Sequence, residues 1–129
     1  MKKIILRISL VIVSIILSQH NVIAQATSSS KPFRHIVIIT FKPDAPPDSI
    51  EALDNVYVDL AKSSLVKGFE WGINVSARDT TTLKHIYNTM FASKEDLESY
   101  RKIPEYKKLF QLSLAIADDV NVVDYTINK

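Results

Sequence analysis

From Phe33 to Phe41 the chain is apolar on both alternating faces, with His35, Val37, Ile39 and Phe41 on one and Ile36, Ile38 and Thr40 on the other. That pattern predicts a strand over roughly 34–42 covered on both sides, by helices on one face and by a partner sheet on the other. Asp44 to Ser49 then supplies prolines and capping residues. Ile50, Leu53, Val56, Tyr57, Leu60 and Ala61 follow at helical spacing, ending near Lys62. Gly68 opens a second strand, Phe69 to Val75, in which Phe69, Trp71, Ile73 and Val75 share one face and Glu70, Gly72 and Asn74 the other. A polar loop over 77–83 leads to a third strand, His85 to Ala92.

Ser93 with Asp96 three residues on has the form of a capping box, and starts a short helix that stops near Lys102. Pro104 restarts the chain. Tyr106, Leu109, Phe110, Ser113, Leu114, Ile116 and Ala117 form the stripe of a longer helix, and 120–127 is the last strand. The order β-α-β-β-α-β predicts an α+β, ferredoxin-like split βαβ plan: a four-stranded antiparallel sheet with helices on one face. The other face would be bare. A bare face carrying Trp71, Ile73 and other large apolar side chains is too large a patch for a soluble monomer, so a homodimer pairing through its sheet faces is expected, with Trp71 and Ile73 in the interface.

Residues 1–24 read as a secretory signal peptide. Lys2, Lys3 and Arg7 form the basic start, Ile8 to Leu17 the apolar run and Ala24 the small residue at the cut. The run falls short of the about 20 apolar residues of a membrane-spanning helix, and an uncleaved anchor is the competing reading. Residues 25–32 form a Ser/Thr-rich disordered spacer. The protein is therefore expected to be exported, periplasmic or secreted, without stable membrane insertion after cleavage. The formal charge of +2 belongs to the leader. Residues 25–129 carry 13 basic against 14 acidic side chains, which is no footprint for nucleic acid. With zero cysteines there is no disulfide framework, thiol nucleophile or thiolate metal site.

Segments 35–42, 68–72, 91–100, 104–107 and 122–125, in their order and spacing, resemble the stress-responsive alpha/beta barrel (Dabb) domain family over residues 33–127. The resemblance implies a dimeric alpha-beta barrel with a cleft in each protomer between sheet and helices. Within that family the chain resembles the plant polyketide cyclases, which close a linear polyketide by aldol condensation. By that likeness His35, Tyr57, His85, Tyr100 and Asp124 fall at pocket positions. The cyclase's His-Pro-x-His segment here reads Ile103-Pro104-Glu105-Tyr106, so Tyr106 stands where the catalytic base would be. Histidine titrates near ~6.5 and tyrosine near ~10, so Tyr106 is suited to donate a hydrogen bond and not to abstract a carbon-bound proton at neutral pH.

The expected site is thus an aromatic pocket with polar tips, made by His35, Tyr57, His85, Tyr100, Tyr106 and Asp124. It suits a small, partly apolar ligand, with no cofactor. His35, His85 and Tyr106 are the catalytic candidates if there is catalysis: a cyclase, isomerase or lyase. Each also has an ordinary structural reading. The histidines fit buried neutral side chains bonded to Asp124 or to backbone, and the tyrosines lie in apolar helical stripes typical of a core. In that case the chain is a stress-protective oligomer without a ligand. Asp118-Asp119 does not make a metal pair, because adjacent side chains diverge and no third ligand is evident, so no metal is expected.

Overall fold

The computed structural model describes residues 31–128. The signal segment expected over 1–24 and most of the spacer lie outside the described residues. The elements are β1 (Phe33–Phe41), α1 (Pro47–Leu60), β2 (Val66–Ile73), β3 (Lys84–Phe91), α2 (Lys94–Tyr100), α3 (Pro104–Ile116) and β4 (Ala117–Thr126). The strands form one antiparallel sheet in the order β2-β3-β1-β4. This is the expected α+β plan. No described helix is long and apolar enough to cross a membrane.

Local chemistry sets the boundaries. Pro47 and Pro104 sit at the starts of α1 and α3, where a missing N–H costs nothing and a fixed φ favours the first turn. Ser93 caps α2 by accepting a 3.2 Å hydrogen bond from the Asp96 N–H. Helix α3 runs directly into β4 without a loop, so β4 begins at Ala117 rather than near 120. Lys42, just past β1, closes the carboxyl end of α3. Its N–H and its ammonium donate to the Ile116 and Ala115 carbonyls, both at 3.0 Å.

The core lies between the helices and one face of the sheet. Phe33, Val37, Ile39 and Phe41 of β1 and Tyr87 and Phe91 of β3 meet Leu53, Val56, Tyr57 and Leu60 of α1, Leu97 and Tyr100 of α2, and Leu109 and Ile116 of α3. Leu53 is fully buried. Leu53→Ala is expected to cost about 2–5 kcal/mol of unfolding free energy, read by chemical denaturation. A loss below about 1 kcal/mol would mean that α1 is not seated as described.

The register corrects one expectation. Trp71 lies opposite Tyr87, and Ile73 opposite His85. Residues directly opposed in a ladder share a face, so Trp71 and Ile73 are on the helix side, not on the open face where sheet pairing would engage them. They remain 42% and 51% exposed because β2 is an edge strand that the helices do not fully reach. The open face instead carries Ile36 and Ile38 of β1, Ile86 and Met90 of β3, and Val123 and Tyr125 of β4. Asn88 crosses it as a polar link, donating to Glu70 at 2.7 Å and accepting from Arg34 at 3.5 Å.

Candidate functional site

A cleft of about 430 Å³ opens between α3 and the β1/β4 half of the sheet. Val37, Val120 and Val122 form its floor, Leu109, Phe110 and Leu114 its α3 wall, and Tyr57 reaches it from α1. Strand alternation places the floor. Val122 is opposite Val37 and Asp124 is opposite His35, so the inward row of β4 continues the inward row of β1.

His35 is 4% exposed and lines the cleft. Its Nδ1 lies 2.5 Å from Asp124 Oδ1, across the β1–β4 pairing. A carboxylate only accepts, so Nδ1 carries a proton, and in the neutral imidazole Nε2 is the nitrogen that keeps its lone pair. Among the described residues Nε2 has no hydrogen-bond partner, yet no buried side-chain nitrogen or oxygen there is unsatisfied, so Nε2 is reachable from the cleft. The second oxygen of Asp124 faces the Arg101 guanidinium at 3.9 Å, and Arg101 also donates to Glu98 at 3.0 Å. Asp124 therefore orients the imidazole while sharing its charge with a cation.

Tyr57 and Tyr106 both line the cleft, and Tyr100 packs edge-on against Tyr106 with ring centroids 5.6 Å apart. Burial, reinforced by Tyr100 and Tyr106, pushes the Tyr57 phenol far above its usual range. Burial, with Tyr106 adding, does the same for Tyr100. Tyr57 and Tyr100 thus stay protonated at any physiological pH and serve as donors.

The structure brings together His35, Tyr57 and Tyr106 on the cleft, with Asp124 behind His35 and Tyr100 behind Tyr106. It separates His85 from them. His85 is buried on β3, its Nδ1 2.9 Å from Asp54 Oδ1, with its ring edge-on to Phe41 and tilted against Trp71. It does not line the cleft. The same Asp54 oxygen accepts from the Tyr87 hydroxyl at 2.5 Å. Burial first, then Asp54, drives the Tyr87 phenol far above its usual range.

Four contributors escaped the sequence reading: Asp54, Tyr87, Arg101 and the Val120/Val122 floor. Asp54 had a signal. It lies one turn after Ile50 and one before Tyr57, a carboxylate within the apolar stripe of α1, and such a group needs a buried partner. Arg101, just past a short helix, had none.

Comparison with known proteins gives the class. The model of the "Stress responsive A/B Barrel Domain" matches residues 33–127, and the chain belongs to this Dabb family. The stress-response A/B barrel domain-containing protein HS1 of Arabidopsis thaliana is 31% identical over 96 residues, covering 73% of this chain and 88% of the relative. A hydroxynitrile lyase from Passiflora edulis shares the fold at 21% identity, with a TM-score of 0.68 over 78% of this chain and 96% of its own. A dimeric ferredoxin-like protein of unknown function from Thermobifida fusca superposes at 14% identity with a TM-score of 0.66, covering 76% of this chain and 92% of its own.

Proposed function

We propose that the protein is an exported homodimer that binds a small, partly apolar molecule, bearing a carbonyl or hydroxyl oxygen, in the cleft between α3 and the β1/β4 half of the sheet. One observation carries this reading. The cleft has the volume and apolar walls of a ligand pocket, and its polar groups converge: the Nε2 of an Asp124-oriented His35, with Tyr57 and Tyr106 beside it. The open apolar sheet face and the dimeric neighbour support self-association. The basic and apolar start of the chain supports export.

A second reading is favoured by the His35–Asp124 pair itself. An imidazole held in one tautomer by a carboxylate is equipped for general acid–base work, and tyrosine donors can steady a developing oxyanion. That would make the protein a cofactor-independent lyase, isomerase or cyclase, with His35 in place of the base missing at Tyr106. A hydroxynitrile lyase built on the same fold is consistent with it.

Native mass spectrometry on protein purified gently from its own host, followed by calorimetric titration with 4-hydroxyacetophenone, tests the proposal. A dimer that carries added mass or takes up the probe is expected. His35→Ala should weaken probe binding at least roughly tenfold with the circular dichroism unchanged. An empty dimer that also ignores the probe would favour a purely structural oligomer, and a monomer would remove the dimer. Catalysis would show as turnover that is lost in His35→Ala with the fold intact.

A further inference from the structure

The carboxylate of Asp54 is used twice and does not line the cleft. One oxygen accepts from both the Tyr87 hydroxyl at 2.5 Å and His85 Nδ1 at 2.9 Å. The Tyr87 ring, completely buried, lies flat against Tyr57, with centroids 3.6 Å apart and planes 10° from parallel. Tyr57 meets the cleft; Tyr87 does not. Tyr57 follows Asp54 by three residues on the same face of α1, so the contacts close a loop. It runs from Asp54 along one helical turn to Tyr57, through the stacked rings to Tyr87, and back by a hydrogen bond.

A loop of this kind removes freedom from its members. The hydroxyl bond pins the para end of the Tyr87 ring and so fixes where the ring axis lies over the sheet. The flat stack passes that placement to Tyr57. On the far side, Trp71 lies roughly parallel to Tyr87, with centroids 6.1 Å apart and planes 20° from parallel. The ladder Tyr57–Tyr87–Trp71 therefore joins the cleft to the exposed edge of β2.

We infer that Asp54 is a positioning residue for the cleft: acting through Tyr87, it fixes the ring of Tyr57 and so sets the fit for the bound molecule. The inference rests on the cleft being a binding site. It makes Trp71, the single tryptophan of the chain, a reporter of occupancy although it touches nothing in the cleft.

The test is titration of the purified protein with 4-hydroxyacetophenone, followed by calorimetry and by Trp71 emission. The parent is expected to bind with a change in emission. Asp54→Ala, which removes the acceptor of both bonds, is expected to lose roughly tenfold in affinity and to lose the emission response, at a temperature where the protein remains folded. Tyr87→Phe, which keeps the ring and its stack, should do the same. The double variant should be no weaker than either single one, because both remove one linkage. A carboxylate that only stabilised the fold would lower the unfolding temperature and leave affinity and emission response intact, and that outcome overturns the inference alone. Losses that multiply in the double variant also overturn it. If Asp54→Ala does not fold, Tyr87→Phe decides by itself. A parent that ignores the probe, with Tyr57→Ala making no difference, overturns the cleft reading and this inference together.

Discussion

Raising the pH from about 10 to about 12 is expected to reduce the stability of the fold by about 4 kcal/mol per pH unit. Three phenols cause this. Burial holds Tyr57, Tyr87 and Tyr100 protonated well beyond the ordinary tyrosine range, whereas in the unfolded chain each releases its proton near pH ~10. The folded-state value is raised, so the stabilisation is complete below the unfolded value and is lost as pH climbs above it. Each group then contributes a slope of about −1.4 kcal/mol per pH unit, because the unfolded state binds one proton fewer. Denaturation midpoints against pH, at fixed protein concentration, measure the slope. Phenolate absorbance should show three of the five tyrosines ionising only as the protein unfolds. A slope of one proton or less would mean that these rings are not sealed in the core.

Ile38→Asp is expected to yield a monomer. Ile38 and Ile86 are direct cross-strand partners on the open face of the two central strands, in the surface proposed to meet its copy. Two-fold pairing would bury the new carboxylate in both protomers, each without a partner, at a cost of several kcal/mol. Sedimentation should show the change from dimer to monomer, with the far-ultraviolet spectrum of the fold retained. Trp71→Ser, on the opposite face, should leave the dimer intact. A dimeric Ile38→Asp would place the interface elsewhere.

The fold was legible because the chain's periodicities are strong. Strand β1 alternates on both faces, Ser93 and Asp96 mark a helix start, and Pro47 and Pro104 mark two more. The half of the site on β1 and β4 was legible as well, because His35 and Asp124 sit on strands that the βαβ plan makes neighbours. What the pattern does not contain is which alternating set of an edge strand faces the helices. Trp71 and Ile73 had the right period and the wrong assigned side, since period 2 defines two faces without orienting them. His85 misled for a different reason. It shares a sheet face with His35, but Asp54 on the intervening helix claims it, and the spacing of α1 shows that Asp54 needs a partner without naming a residue 31 positions away.

Strand β1 sits inside the sheet between β3 and β4, and its side chains meet Asp124 and its neighbours across 89 residues of chain. Strand β1 can pair with β3 on one edge as soon as β3 is made, but its other edge stays open until β4 arrives, and the floor of the cleft is completed only then. A fragment that stops before β4 does not hold both partners of its own central strand, so the sheet closes only once β4 has been made. A chain cut before Val120 loses the floor of the cleft and the anchor of His35 together, and leaves Val37 and Ile39 on an unpaired apolar edge, the condition in which sheets recruit one another.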